Sequence, residues 1–287
     1  MVVQHNMTAA NANRMLGITT GELAKATEKL SSGYKVNRAA DDASGLSISE
    51  KMRKQIRGLT QASANAQDGI SMAQTAEGAL TEVHDMLQRM NELAVKAANG
   101  TLSSADRGNI QDELDQLTSE IDRVATTTKF NELYLLSGTD QNGTTAGVKD
   151  GILGISLQVG ADPLGSNKIA IGITAMNSGT LFGSDTLSVR DSTGAMASSV
   201  IAKVGSAINI VSKQRSALGA VQNRLEHTIK NLDNIVENTT SAESEIRDTD
   251  MAAEMVVYSK NNILQQAGQS MLAQANQANQ GVLSLLQ

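Results

Sequence analysis

A heptad pattern runs without interruption through residues 207–235, whose sequence is AINIVSKQRSALGAVQNRLEHTIKNLDNI. Mostly apolar positions recur there in alternating steps of four and three, an average repeat of 3.5 residues. This spacing is typical of α-helices packed along a common seam, and about 28 residues of it extend for about 40 Å at the helical rise of about 1.5 Å per residue. The predicted seam positions are Ala207, Val211, Gln214, Leu218, Val221, Leu225, Thr228, Leu232 and Ile235.

A similar pattern lies in the first half of the chain, between residues 70 and 97, and predicts a second long helix. Two helices with matching seams favour a mainly α fold built on an elongated, antiparallel coiled-coil rod. The positions of this second run are Ile70, Ala73, Ala76, Leu80, Val83, Leu87, Met90, Ala94 and Ala97. The predicted core seam of the rod is formed by Leu80, Val83, Leu87 and Met90 on one helix and by Leu218, Val221, Leu225 and Leu232 on the other.

The first long helix is predicted to end near Asn99-Gly100, a pair that suits a helix C-cap. Either Ser103 or Ser104 can then cap a shorter helix, with Asp106 in its first turn. That helix has its own apolar stripe and is expected to fold back on the first. The stripe consists of Ile110, Leu114, Leu117, Ile121 and Val124.

Between the helical zones, residues 129–195 are rich in Gly, Thr and Ser and change to a period of two. Ile155, Leu157 and Val159 alternate with other residues, and so do Ile169, Ile171 and Ile173. The linking residues 161–166 are turn-rich. The zone is therefore predicted to hold a small β-hairpin with one buried face.

The two ends, residues 1–40 and 251–287, have Ala, Asn, Gln and Met where a self-sufficient helix has Leu and Ile. Small side chains bury little apolar area, at about 25 cal/mol per Å². Ordering each residue costs about 1–2 kcal/mol of backbone entropy. We therefore expect the ends to need partners, namely each other and neighbouring copies. The C-terminal stripe keeps helical spacing through Val257, Leu264, Ala267, Met271, Ala275, Ala278, Val282 and Leu285.

Composition argues against several kinds of partner and site. The net charge is −6, so there is no basic surplus for nucleic acid. No apolar run approaches the ~20 residues of a membrane span, and the N-terminus does not resemble a Sec-type signal. Cysteine is absent, and His5, His84 and His227 are far apart in the sequence. We therefore expect no catalytic, cofactor or metal site and no enzyme activity. Asp41-Asp42 is better explained by helix capping or turn chemistry than by catalysis.

Several long blocks, in order along the chain, are similar to the bacterial flagellin family. The most recognisable is residues 30–46, LSSGYKVNRAADDASGL, followed by residues 66–80, AQDGISMAQTAEGAL, and residues 88–95, QRMNELAV. The C-terminal half adds residues 218–224, LGAVQNR, residues 271–277, MLAQANQ, and residues 282–286, VLSLL. The match is specific and covers nearly the whole chain.

The resemblance implies a layout without large outer domains. Residues 1–43 and 244–287 would form an inner-tube domain. The rod would consist of N-terminal helices at residues 44–128, a hairpin region at residues 129–195 and a C-terminal helix at residues 196–243. Polymerisation within the tube would involve Met7, Leu264, Met271, Val282 and Leu285.

The resemblance also implies a filament subunit for swimming, exported unfolded through the flagellar type III apparatus and located outside the cell in the flagellum. The implied partners are other copies of the chain, the flagellar cap and hook-associated proteins, an export chaperone at the C-terminal region and Toll-like receptor 5.

The receptor-contact positions of the family resemble Arg89, Leu93 and Glu113. In the heptad, Arg89 and Leu93 are four residues apart and fall on a flank away from the core seam, so Leu93 is expected to be an exposed docking residue. Alternatively, Arg89 is simply solvated and Leu93 is edge packing or a filament contact.

Two other structural classes compete with a filament subunit. A hook–filament junction protein has similar ends but should lack the block at residues 89–95 and the C-terminal Leu-Leu-Gln, both of which are present. A signalling coiled coil, like the cytoplasmic part of a chemoreceptor, would need a helical hairpin tip at mid-chain, where this chain has its predicted β zone.

Overall fold

The computed structural model describes residues 6–138, 148–149, 152–183, 187–190 and 195–284. The fold is mainly α, as the sequence predicts. The helices are α1 (Met7–Ser32), α2 (Ala43–Ala97), α3 (Ser104–Thr127), α4 (Ser178–Phe182), α5 (Ala195–Arg247) and α6 (Met251–Ser284). The strands are β1 (Lys129–Phe130), β2 (Leu133–Tyr134), β3 (Val148–Lys149), β4 (Ile152–Gln158) and β5 (Lys168–Thr174), and a short 3-10 turn spans Gly165–Asn167.

The chain divides into two compact units. The terminal unit consists of Met1–Ile56 and Glu237–Gln287, and the central unit is Arg57–Val236. Helices α2 and α5 each contribute to both units. The domain boundaries implied by the family resemblance stay a prediction.

In the central unit, α2 and α5 pack side by side in antiparallel directions. The hydroxyl of Ser63 donates to Asp233 Oδ1 at 3.3 Å, and further along α2, Glu77 Oε2 accepts from Gln222 at 3.1 Å. All the predicted seam residues lie in this interface; Val221 is half-buried against the core and the others are at most 5% exposed. The two heptad runs therefore form the core of the unit, as predicted. Leu232 lies in a smaller cluster with Leu59 and Ala62.

Helix α3 folds back on α2 after a tight reversal. Ser103, rather than Ser104, is the N-cap: its hydroxyl accepts from the Asp106 amide, and the Asp106 carboxylate accepts from the Ser103 amide in return. Arg107 is 2% exposed and donates to the carbonyls of Ala97 and Asn99, both at 3.1 Å. This buried guanidinium satisfies the carbonyl of Ala97, the last residue of α2, and also binds the turn at Asn99, and so holds the reversal closed.

The predicted hairpin is present as β4 and β5, paired antiparallel with Ile155 opposite Ile171. One face of β5 is buried, through Ile169, Ile171 and Ile173. Gln214 of α5 explains the polar position in the second heptad run. Its amide donates to the carbonyl of Gly172 at 2.9 Å and accepts from the Thr174 hydroxyl at 3.1 Å. The buried side chain of Gln214 thus helps to fasten the hairpin to the helical core.

The middle zone also contains the short helix α4, which the strand-and-turn prediction missed. Asn177 caps it by accepting from the Thr180 amide at 3.0 Å, and the side chains of its last two residues, Leu181 and Phe182, are buried. The period-two pattern gives no indication of a single helical turn held by a cap and two apolar anchors.

Helix α5 contains an 18-residue stretch whose mean hydropathy, 1.3, and length would suit a membrane-crossing helix. No apolar run of that kind was expected from the sequence. One side of its start, with Val200, Val204 and Val211 at most 2% exposed, belongs to the core of the central unit, whereas Met196 is exposed. Of the stretch, 28% is buried, so core packing accounts for one of its sides.

Candidate interaction surfaces

Helices α1 and α6 of the terminal unit pair along their length in antiparallel directions. At one end, the Asn6 amide donates to the carbonyl of Ala275 at 3.1 Å. Midway, a β-carbon added to Gly268 would lie 3.3 Å from Leu16 Cδ1, so the helices approach closely there. At the other end, Lys29 Nζ lies 3.8 Å from Glu254 Oε2. The two ends of the chain therefore contact each other, as the sequence predicts.

The facing sides of this pair form a seam of modest side chains. The least exposed positions on both helices recur in steps of three and four, which is the coiled-coil spacing. Asn261 is 1% exposed, yet neither its amide nitrogen nor its oxygen has a hydrogen-bond partner. A buried polar group without a partner is destabilising, so Asn261 weakens this seam. Its positions are Ala9, Ala12, Leu16, Thr19, Leu23, Ala26 and Leu30 on α1 and Glu254, Tyr258, Asn261, Gln265, Gly268, Leu272 and Ala275 on α6.

The base of the pair is fastened by backbone contacts. Gly33 ends α1 with φ 76°, a left-handed conformation that favours glycine. The Lys35 amide donates to the carbonyl of Arg247 at 2.6 Å, and the Thr249 amide donates to the carbonyl of Gly33 at 3.0 Å. The Arg247 guanidinium also lies 4.4 Å from the centre of the Tyr34 ring, within range of a cation–π contact.

The paired carboxylates Asp41 and Asp42 serve the backbone here, as predicted. Asp42 Oδ1 accepts from the amides of Ser44 and Gly45 at the start of α2, at 3.0 and 2.9 Å. The Asp41 carboxylate accepts from the Arg38 amide, and this hydrogen bond is the main cause that lowers the pKa of Asp41. Neither carboxylate has an environment that indicates catalysis.

The outer sides of α1 and α6 are strongly apolar. Among the described residues, ten of the fifteen exposed large apolar side chains lie on these two helices. We call this set the outer apolar face. Its members are Met7, Met15, Ile18, Met251, Met255, Val256, Val257, Ile263, Leu264 and Met271. Five neighbouring α6 residues around Lys260 line a shallow, mostly apolar depression: Met255, Val256, Ser259, Ile263 and Leu264.

The outer apolar face contains three of the five residues predicted to take part in polymerisation. Met7 is 73% exposed, Leu264 49% and Met271 59%. The side chain of Val282 and the whole of Leu285 lie outside the described part of the chain. Val257 was marked by its spacing and Met7 by the family resemblance, whereas Val256 and Ile263 were missed. The latter pair are seven residues apart, and this separation was a signal that they share a helix face.

A second surface lies in the central unit, where α2 and α3 run past each other. Arg89 on α2 donates from Nε to Glu113 Oε1 of α3 at 3.0 Å and from Nη1 to Glu92 Oε2 at 3.2 Å. These hydrogen bonds raise the pKa of Arg89, that to Glu113 most. The ion pair closes one side of a groove of about 330 Å³. We call it the α2–α3 groove; its lining includes Arg89, Leu93, Lys96, Asn109, Ile110 and Glu113.

The expectation that Leu93 is exposed is wrong. Leu93 is only 3% exposed and belongs to the core of the central unit. The heptad of α2 identified the flank correctly, but α3 folds back over that flank and covers the side chain. Arg89, Leu93 and Glu113 are nevertheless brought together at one groove. Lys96 and Asn109, which also line it, were not singled out in the sequence because no periodic signal marks them.

In the part of the chain that the structure describes, no group of three or more His, Asp or Glu side chains is arranged to hold a metal ion.

Known proteins match the chain over nearly its whole length. Residues 3–141 match the bacterial flagellin N-terminal helical region, and residues 201–286 match the bacterial flagellin C-terminal helical region. A flagellin of Halalkalibacterium halodurans is 50% identical over 287 residues, and the flagellar filament 31.3 kDa core protein of Treponema maltophilum is 48% identical over 292; each alignment covers 100% of both chains.

A solved structure from Vibrio parahaemolyticus, described as that of a candidate flagellar hook-associated protein, has a TM-score of 0.58. It is 14% identical and covers 72% of this chain and 100% of its own. At that identity the likeness concerns the fold alone.

Proposed function

Because the chain belongs to the bacterial flagellin family, we propose that the outer apolar face of α1 and α6 is the surface through which its copies join. The chain is a structural subunit, not an enzyme, and it self-assembles into the extracellular flagellar filament. What remains to be assigned is the surface that performs the assembly.

The exposure of the outer apolar face is the observation that carries this proposal. Val256 is 69% exposed and Ile263 is 67% exposed, although full burial of such a side chain is worth about 1.5–3 kcal/mol. Clustered exposed apolar side chains, such as those that line the depression around Val256 and Ile263, mark sites of protein association. The weak α1–α6 seam adds to the argument, since further burial against neighbouring copies would supply the stabilisation that the pair lacks.

Replacing two apolar residues of this face tests the proposal. In the variant Val256→Asn with Ile263→Asn, we expect at least an about tenfold higher critical concentration for polymerisation, because about 1.4 kcal/mol corresponds to a factor of ten. The matched control, Gln269→Asn with Gln274→Asn, changes two exposed polar residues of the same helix and should polymerise normally. Pelleting after seeding measures polymer, and circular dichroism checks that the helix content is equal. Equal critical concentrations for all three chains would refute the proposal.

Deletion of residues 251–287 is a coarser test of the same proposal. It removes α6 and leaves α1 without its partner, so we expect a soluble, partly helical monomer. Electron microscopy under filament-forming salt should show no filaments, and ordinary filaments would refute the idea.

We also propose that the chain serves swimming motility and leaves the cell unfolded through the flagellar type III apparatus. An export chaperone at the C-terminal region is proposed to cover the depression around Val256 and Ile263 before export. The cap and hook-associated proteins are proposed as partners at the two ends of the filament. Cells that express the chain without residues 251–287 should lose both the chaperone complex on co-purification and swimming in soft agar. Retention of the chaperone complex by these cells would contradict its proposed site.

The α2–α3 groove supports a second candidate function, binding of Toll-like receptor 5 by the free subunit. Arg89, Leu93 and Glu113 meet there, and the ion pair fixes the two charged side chains in one arrangement. Since Leu93 is buried, its proposed role is to form the apolar floor of the groove. The charged residues would make the polar contacts at its rim.

A charge reversal at Arg89 separates this function from the stability of the fold. Arg89→Glu should weaken binding to the receptor ectodomain. Arg123→Glu is the matched control, since Arg123 is a similarly exposed α3 residue that pairs only with Glu120 of its own helix among the ion pairs described. Surface plasmon resonance with monomeric protein measures the affinity. Equal affinities of the two variants would refute the proposed site.

A hook–filament junction protein is less well supported. The likeness to the hook-associated structure is one of fold, whereas the relatives at 48–50% identity over the full chain are a flagellin and a filament core protein. A junction protein would cap a filament rather than extend it. Long filaments grown from purified chain alone would therefore exclude this alternative.

A further inference from the structure

Two groups of methionines in the described part of the chain contrast in exposure. Five lie on the outer apolar face: Met7, Met15, Met251, Met255 and Met271, with exposures of 73, 53, 47, 51 and 59%. In the central unit, by contrast, Met72, Met90 and Met176 are at most 4% exposed. Met196 of α5 is 51% exposed and belongs to the central unit, which makes it a natural internal control.

We propose that the five methionines of the outer apolar face are an oxidation site through which peroxide-class oxidants block filament assembly. The chain has no cysteine, so its accessible thioethers are the side chains most readily oxidised by two electrons. Each sulfur loses two electrons and takes one oxygen atom from hydrogen peroxide, and water leaves. The product is methionine sulfoxide, which methionine sulfoxide reductases convert back to the thioether.

The sulfoxide changes the very property on which the outer apolar face depends. It turns a flexible apolar side chain into a polar one, and a polar group buried without a hydrogen-bond partner is destabilising. Five such changes lie on the paired helices of every subunit. The inference rests on the proposed assembly role of this face. It adds that free subunits are sensitive to oxidant and that assembled subunits, with these side chains covered, are protected.

Peptide mass spectrometry after limited treatment with hydrogen peroxide tests the selectivity. In the monomer, the five face methionines and Met196 should be oxidised at least about tenfold faster than Met72, Met90 and Met176. In pre-formed filaments, the five face methionines should be oxidised more slowly than in the monomer. The oxidation rates of Met196, Met72, Met90 and Met176 should still follow their exposure. Equal oxidation of the face methionines in monomer and filament would overturn the inference.

Polymerisation of treated monomer tests the consequence. Oxidised chain should show at least an about tenfold higher critical concentration, and a mixture of both stereospecific methionine sulfoxide reductases should restore the original value. A variant with all five face methionines changed to Leu should polymerise after the same treatment, whereas Met196→Leu should remain sensitive. If the five-Leu variant does not assemble, the unaltered chain provides the test. Polymerisation of the oxidised chain that returns after reductase treatment supports the inference, and polymerisation that does not return refutes it.

Two outcomes separate this inference from the assembly proposal. Normal polymerisation of the Val256→Asn, Ile263→Asn variant would refute the assembly face itself. Normal polymerisation of chain that carries the five sulfoxides, while that variant fails to polymerise, would refute the oxidation site alone.

Discussion

Substitution of Gly58 by Ala should destabilise the central unit, although Ala is the better helix former. Gly58 lies within α2, where the hairpin turn passes over the helix. A β-carbon built at this position would lie 2.9 Å from Ala161 Cβ and 3.2 Å from Ala161 Cα. The backbone of Ala161 cannot move aside as the end of a long side chain can. The gain in helix propensity, about 1 kcal/mol, is therefore opposed by an overpacking cost of about 1–3 kcal/mol.

Gly78 provides the matched control, because it lies in the same helix and has nothing within 4 Å of an added β-carbon. Gly78→Ala should raise the free energy of unfolding by about 0.5–1 kcal/mol. The free energy of unfolding of Gly58→Ala should be lower than that of Gly78→Ala by about 1–3 kcal/mol. Adding Ala161→Gly to Gly58→Ala should recover part of this difference. Urea unfolding followed by circular dichroism measures all four chains. Equal stabilisation by Gly58→Ala and Gly78→Ala would refute the close packing of the hairpin turn on α2.

Further substitutions test other parts of the structure. Leu232→Asp should lower the free energy of unfolding by about 3 kcal/mol or more, because it places an unpaired carboxylate beside Leu59 and Ala62; an unchanged melting temperature in calorimetry would contradict its buried position. Asn261→Leu removes a buried amide without partners and should stabilise the α1–α6 pair by about 1–3 kcal/mol; a fall in the helicity of the monomer would count against the seam. Acidification should loosen the start of α3, because hydrogen bonds from Ser103 hold the pKa of Asp106 below its ordinary 3.8. That stabilisation is complete above pH 3.8 and is lost as the pH falls through the lowered pKa. Amide exchange near residue 106 should show a larger loss in the unaltered chain than in Ser103→Ala, in which only the backbone amide of residue 103 still donates to Asp106; identical pH profiles would refute the capping box.

The sequence predicted the core of the central unit well, because a heptad reports directly which side of a helix is buried. Leu80, Leu87 and Leu225 are completely buried as a result of that pattern. A cap at Ser103 or Ser104 and the presence of the hairpin also follow from local rules, since helix capping and a period of two depend on residues close in sequence.

Other features depend on contacts between distant segments and could not be predicted in the same way. Leu93 was placed on the correct flank of α2, but its burial depends on where α3 returns. Gln214 lies at a seam position because the backbone of the hairpin comes to meet its amide. Likewise, the C-terminal stripe was recognised by spacing, yet Val257, Leu264 and Met271 point away from α1. Gly268, which is not a member of the stripe, lies in the seam instead, and its type alone does not distinguish a close helix contact from a solvent-exposed position.

Amide hydrogen exchange, compared between monomer and filament, tests most directly whether the terminal helices are completed by neighbouring copies. The α1–α6 seam is narrow and contains an unpartnered amide, so we predict rapid exchange over residues 7–32 and 251–284 in the monomer and strong protection of both segments in the filament. The core of the central unit, at residues 80–97, should be protected in both states. Equal protection of α1 and α6 in a dilute monomer and in the filament would contradict a role for these helices in joining the copies.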